Sequence, residues 1–236
     1  ALCPEQVITE YIARLVDFPE ALQVLSFGGG RLALVAVRAY EGGLLVGNEI
    51  KQMRTHLPPE VDGRIAAIYR RDGAIMPSGE TVIEDGDEVF LLAAEEHIRT
   101  VMRELRRSVE PVRRVMIAGG GNIGLRVAQA LESRCEVKTI EVDRRRAEFV
   151  ATTLKSVLVL CGDATDEELL QQEAIDEMDL FLALTNDDED NIMAASLAKR
   201  MGCKRVVALI NRRAYAELVQ GGPIDIALSP AQVSIG

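Results

Sequence analysis

Positive charge is in short supply in this 236-residue sequence: 27 lysines and arginines face 37 aspartates and glutamates, for a formal net charge of -10. Without a basic surplus nothing draws the chain onto a phosphodiester backbone or an anionic bilayer, which argues against nucleic acid as a partner. Long apolar runs are also missing. No stretch approaches the roughly 18 residues that cross a bilayer, and the opening ALCPEQVITEYIARLV has neither a basic lead nor a cleavage pattern, so the chain reads as soluble. Cysteine is sparse and scattered. Cys3, Cys135, Cys161 and Cys203 form no C-x-x-C pair and sit among apolar or small residues, the pattern of reduced core thiols in a cytosolic protein. The two histidines, His56 and His97, fall in the first half, and no G-x-S-x-G nucleophile elbow occurs. Hydride transfer to a carbonyl or alcohol uses a positioned acid or base near neutral pKa. These lacks weigh against an enzyme and leave an NAD-dependent oxidoreductase as the alternative.

Three segments differ in pattern. Residues 1–20 carry a short amphipathic helix, with Pro4 early and Val7, Ile8, Tyr11, Ile12, Leu15 and Val16 on one stripe. Residues 21–110 mix the strand-like runs ALQVLSF, RLALVAVRAY, GRIAAIYRR and DEVFLLAA with helices expected over GNEIKQMRTHL and EEHIRTVMRELRRSV, a small α+β module. The stretch SVEPVRR around Pro111 is expected to break the last of these helices and mark the boundary. Residues 111–236 then alternate strand and helix strictly. Strands separated by helices of this length join in parallel through right-handed crossovers, so the fold class is α/β, a Rossmann-like doubly wound sheet.

Within that segment RRVMIAGGGNIGLRVAQAL runs from a strand through Gly119-x-Gly121-x-x-Gly124 into a helix. Gly119 permits the tight turn, Gly121 admits a pyrophosphate, and Gly124 lets helix and sheet pack closely. Glu141 ends the next strand, where a carboxylate accepts the hydroxyls of an adenosine ribose and repels a 2'-phosphate, favouring NAD(H) over NADP(H). Arg144, Arg145 and Arg146 follow as a solvated helix start or as a phosphate ligand, with Arg144 the nearest candidate. Asp163 is expected near the adenine and Thr185 near the central ribose or pyrophosphate; Asp163, Thr165 and Asp187 have the alternative of capping helices. The run Asp187 to Asn191 reads as a helix entrance, and no metal is expected.

The segments VMIAGGGNIGLRVAQALE, VKTIEVDRRRAEFVA, VLCGDATDEELL and LFLALTNDDEDNIMAASLAKRMG resemble the regulator-of-potassium-conductance (RCK, or KTN) nucleotide-binding domain. GRIAAIYRRDGAIMPSGETVIEDGDEVFLLA is similar to the companion RCK C-terminal module, with Met76 before Pro77 and Gly79, Thr81, Ile83, Gly86 and Asp87 following. The P-x-Q-V text at Pro4–Val7 recurs at Pro230–Val233, so the chain is expected to be one period of a tandem repeat, opening inside one nucleotide-binding unit's final helix. The resemblance implies a cytoplasmic regulatory subunit, peripheral on the inner membrane, that forms a ring beneath a potassium-translocating partner of the Trk type and gates it according to bound nucleotide. It places nucleotide contacts at Gly119, Gly121, Asn122, Ile123, Gly124, Glu141, Asp163, Ala164 and Thr185. Relatives that prefer ATP carry a basic residue in the glycine turn. Asn122 stands there instead, favouring NAD(H) while leaving ATP or ADP open. The helix PEQVITEYIARLV and a counterpart after Gly236 are the expected docking surfaces for neighbouring units.

Overall fold

The computed structural model describes residues 3–71, 73–106, 111–219 and 222–229. The chain divides into two compact units: Arg14–Pro111 forms one, and the start of the chain through Ala13 joins the segment from Val112 onward in the other.

In the first unit β1 (Ala21–Phe27), β2 (Leu32–Arg38), β3 (Gly63–Arg70), β4 (Gly73–Ile75) and β5 (Glu88–Ala94) form an antiparallel sheet in the order β1-β2-β5-β3-β4. Its central strand β5 pairs with β2 on one side and β3 on the other, and α3 (Ile98–Met102) packs on β5 and β2. Val35, Val37, Ile68, Ile83, Leu91, Ile98, Val101 and Leu105 make the core. Both expected helices are shorter than the sequence suggests. Over GNEIKQMRTHL only a 3-10 turn at Ile50–Gln52 and α2 (Met53–His56) form. The amides of Gly47, Ile50 and Lys51 donate to Ile83, Thr81 and Gly79, so this backbone is paired across rather than along a helix. Helix α3 stops at Met102, well before Pro111, because the carbonyls of Glu104 and Leu105 accept the amides of Leu45 and Tyr40. Residues 107–110 of the expected boundary segment lie outside the described residues, as does the second P-x-Q-V text beyond Ser229.

The other unit holds β6 (Arg114–Ala118), α4 (Asn122–Leu131), β7 (Glu136–Glu141), α5 (Arg144–Thr153), β8 (Val157–Cys161), α6 (Glu167–Gln172), β9 (Leu180–Ala183), α7 (Asp188–Arg200), β10 (Val206–Leu209), α8 (Arg213–Val219) and β11 (Ile226–Leu228). All strand pairings are parallel, in the order β11-β10-β9-β6-β7-β8. Strands β9 and β10 are buried along their length, as a parallel sheet covered on both faces requires. The direction of winding reverses between β6 and β9, so the connections that leave their paired carboxyl ends turn to opposite faces of the sheet and leave a crevice.

Helix α1 (Pro4–Asp17) is shared between the units. The apolar stripe of its first turns is covered, where an exposed surface was expected: Ile8 and Ile12 are buried. Burial also pushes the Tyr11 phenol above its usual range, with the Arg205 charge opposing. An amphipathic stripe gains most where apolar surface is available to cover it, and this chain supplies that cover itself. Two of the cysteines also depart from the expectation of core thiols. Cys135 and Cys203 are buried, but Cys3 precedes α1 and Cys161 ends the edge strand β8, and both are exposed. Burial raises the Cys203 thiol to about 11, so it stays protonated.

Candidate functional site

Strand β6 runs into the glycine turn, which backbone bonds fix on both sides. The Gly119 amide donates to the Ile140 carbonyl at 2.8 Å, and the Leu184 amide to the Ala118 carbonyl at 2.8 Å. Gly119 has φ 105°, the left-handed region that disfavours side chains, and a Cβ there would lie 3.0 Å from the Thr185 nitrogen. Gly124 answers a close approach: its Cβ would fall 1.9 Å from the Gly119 carbonyl oxygen. It therefore closes the turn against α4 and does not line the cleft. Gly121 is different, because nothing lies within 4 Å of its Cβ position. It is also the N-cap of α4, with no side chain to satisfy the first-turn amides. Open space beside free donors and the positive end of a helix dipole suits a pyrophosphate.

The turn opens on a cleft of about 680 Å³. Of the anticipated residues, Gly119, Gly121, Asn122, Ile123, Glu141, Asp163, Ala164 and Thr185 line it. Glu141 ends β7, where Oε2 accepts the Gly120 amide at 2.7 Å and Oε1 the Asp143 amide at 2.9 Å. These bonds hold the carboxylate against the glycine turn. Asp163 Oδ1 accepts both the Thr165 amide at 2.8 Å and its hydroxyl at 2.7 Å, which hold its carboxyl below the usual range. It does not cap α6; Asp166 does. Asp187 caps α7, accepting the Asp190 amide.

Of the two alternatives for Arg144, the solvated helix start fits its placement and the phosphate ligand does not. Its side chain is 85% exposed and pairs with Glu148 at 3.3 Å, away from the cleft. Asp143 caps α5 by accepting the Arg146 amide, which sets the helical phase, and two residues later the side chain points to the other side, about 200° round. Arg146 therefore lines the cleft, donating from Nε to the Gly120 carbonyl at 2.6 Å with its guanidinium 4.9 Å over the Phe149 ring.

Other contributors went unnoticed in the sequence. Gly120 sits where a Cβ would come within 3.1 Å of Glu141 Oε2 and Val150, a constraint signalled only by the unbroken Gly119–Gly121 run. Asn191, fully buried on α7, joins two strand ends: its Oδ1 accepts the Thr185 amide at 2.9 Å and hydroxyl at 2.8 Å, and its Nδ2 donates to the carbonyls of Thr185 and Leu209. Asp188 makes a second tie, accepting the amides of Asn211 and Arg212 at 2.9 Å each. Burial disfavours its ionisation, but those donors and the Arg212 charge prevail and hold the carboxyl below its usual range. Glu5, from α1, also reaches the cleft.

Among the described residues the lining is built of glycines, apolar side chains, amides, hydroxyls, carboxylates and one guanidinium, and the carboxylates of Glu141 and Asp163 accept backbone amides. His56 and His97 belong to the other unit, where His56 Nδ1 lies 2.8 Å from Glu104 Oε2 and His97 precedes α3.

Residues 115–230 match the TrkA-N domain and residues 34–106 the TrkA-C domain. The chain belongs to the TrkA family. Among its TrkA relatives, the Trk system potassium uptake protein TrkA of Vibrio alginolyticus is 54% identical over 234 residues, covering 99% of this chain and 51% of that protein. The protein of the same name in Halomonas elongata is 55% identical over 235 residues, covering 100% of this chain and 51% of its own length. The chain thus spans about half the length of the TrkA proteins it matches. A solved structure described as the GsuK channel bound to NAD aligns with a TM-score of 0.63 at 20% identity, over 96% of this chain and 40% of that one, a shared fold.

Proposed function

We propose that the Rossmann-like unit of this TrkA-family chain binds NAD(H), and that the chain senses the nucleotide without transforming it. The observation that carries this reading is the Glu141 carboxylate, fixed at the end of β7 against the Gly120 amide of the glycine turn. In this arrangement Glu141 accepts the adenosine ribose hydroxyls, and Gly121, Asn122 and Ile123 at the start of α4 receive the pyrophosphate. Asp163 and Ala164 flank the base, Thr185 borders the central ribose, and Gly119 and Gly124 shape the turn. The bound dinucleotide would supply charge and contacts. It needs no proton relay, and the lining offers none.

On this reading residues 111–236 are the nucleotide-binding domain and residues 21–110 its companion module, with α1 the last helix of a preceding unit in a longer protein. The Vibrio alginolyticus and Halomonas elongata relatives are named as potassium uptake proteins. This supports a role as the cytosolic regulatory part of such a system, assembled in a ring on a membrane potassium-translocating partner. Regulation then follows from linkage: NAD+ and NADH bias the ring by as much as their affinities for its two shapes differ, and no further.

Calorimetric titration with NAD+, NADH, ATP and ADP, repeated on Glu141→Ala, tests the reading. NAD(H) binding to the wild type, weakened by at least roughly tenfold in the variant, is expected. Binding of ATP and ADP alone, or an unchanged affinity in Glu141→Ala, overturns it.

A further inference from the structure

The cleft wall includes one charged residue from outside the matched nucleotide-binding segment. Glu5 belongs to the first turn of α1. Its Oε1 accepts from Asn122 Nδ2 at 3.4 Å, and its Oε2 lies 3.9 Å from Arg126. Both partners are on α4, Asn122 at its first position and Arg126 one turn on. Glu5 therefore sets a carboxylate beside the helix N-terminus that would receive phosphate.

The charge around it is lopsided. Glu5, Glu141, Asp163 and Asp190 line the cleft, with Arg146 the cation among the lining residues. Glu141 and Asp163 already accept backbone amides, which spread their charge into fixed dipoles. Arg146 is bonded to the Gly120 carbonyl on the Glu141 side of the turn. The Glu5 carboxylate, at the Asn122 side, accepts from the Asn122 amide and the Cys3 thiol, each at 3.4 Å, has Arg126 at 3.9 Å as its cation, and is about one-third exposed. It sets a carboxylate, held by side-chain partners, at the phosphate end of the cleft.

We infer that Glu5 is a specificity-determining residue, acting by like-charge repulsion to disfavour nucleotides whose chain ends in extra phosphates relative to dinucleotides. The inference rests on the nucleotide-binding reading above. A dinucleotide presents a diphosphate esterified at both ends, and in NAD+ the nicotinamide ring cancels part of that charge. ATP and ADP end in a free, more highly charged phosphate. Repulsion from a fixed carboxylate therefore falls in the order ATP, ADP, NADH, NAD+. Placing the charge on α1 also makes selectivity depend on that helix being docked, which the glycine turn alone would not provide.

The test is titration of wild type, Glu5→Gln and Glu5→Lys with ATP, ADP, NAD+ and adenosine, in chelator and at low and high salt. Glu5→Gln keeps an acceptor for Asn122, so α1 has the same bond to dock with; Glu5→Lys extends the series by reversing the charge. ATP affinity is expected to rise on the order of five- to tenfold from Glu to Gln and again to Lys. NAD+ should gain several-fold less, adenosine should not change, and the differences should shrink as salt rises. An unchanged ATP-to-NAD+ ratio across the series overturns the inference, as does an equal gain for all ligands including adenosine, which would mean Glu5 merely obstructs the cleft. Failure of the underlying reading looks different: the wild type then binds none of the four, or binds ATP and ADP without NAD+.

Discussion

The Glu141 carboxylate and the Arg146 guanidinium grip the same residue through its two flanking peptide groups, one accepting from the Gly120 amide and the other donating to the Gly120 carbonyl. Gly120 sits between the two glycines that shape the pyrophosphate turn, so Arg146 is expected to matter to binding through the turn's geometry. Arg146→Ala should weaken NAD+ binding by roughly three- to tenfold and cost about 1 kcal/mol of stability from the lost hydrogen bond. Arg144→Ala should leave affinity unchanged, because it removes only an exposed pair one helical turn apart, worth about 0.3–0.5 kcal/mol. Parallel calorimetry and urea unfolding of the two variants check this; equal effects at both positions would contradict it. At this scale the sequence shows residue type and spacing well. The carboxylate at 141 and the glycines announce themselves because the chemistry needs those residues at those intervals. Three consecutive arginines do not say which one faces the cleft, since that depends on where Asp143 caps α5. Glu5 is harder still to find, because a contact to Asn122 across 117 residues leaves no local trace.

At the scale of elements, the walls of the crevice owe their rigidity to side chains of α7. Asn191 ties the ends of β9 and β10 together, and Asp188 gathers the amides that follow β10. Asp188→Asn should therefore destabilise the unit by roughly 2 kcal/mol at neutral pH. The folded carboxyl titrates below its unfolded value, so its contribution is complete above the ordinary carboxylate range and is lost as pH falls through the folded value. The gap between wild type and variant, measured by urea unfolding, should narrow between pH 7 and about pH 3; a gap of constant size would contradict this account. The run from Asp187 to Asn191 was legible as a helix entrance because acids crowd there, but its use as a two-strand clamp was not. The strict alternation that encodes the parallel sheet was plain, since each strand and crossover helix carries its own period. Helices α2 and α3 were overestimated for the opposite reason. Their apolar spacing is helical, yet the backbone groups flanking them pair with segments 28 to 65 residues away. The three-residue β4 is too short to show a period at all.

Across the whole molecule, two units carry separate cores, and the cleft belongs to only one of them. The chain spans about half the length of its TrkA relatives, so on the proposed reading it is the binding step that this chain alone can test. With a net charge of -10 and a cleft whose charged residues are mostly acids, nucleotide affinity on the proposed reading comes from hydrogen bonds and helix-end donors at the glycine turn more than from charge pairing. Gly121 isolates that claim. An alanine methyl there meets nothing within 4 Å and suits the observed φ of -64°, so the fold should tolerate it; the same methyl would occupy the space left for the pyrophosphate. The decisive measurement is therefore NAD+ titration of Gly121→Ala beside the wild type, with thermal unfolding of both. We predict unfolding free energies that agree within about 0.5 kcal/mol and affinity for NAD+ that falls by at least roughly tenfold. A variant that folds normally and binds NAD+ as the wild type does would contradict the assignment of this turn as the nucleotide site.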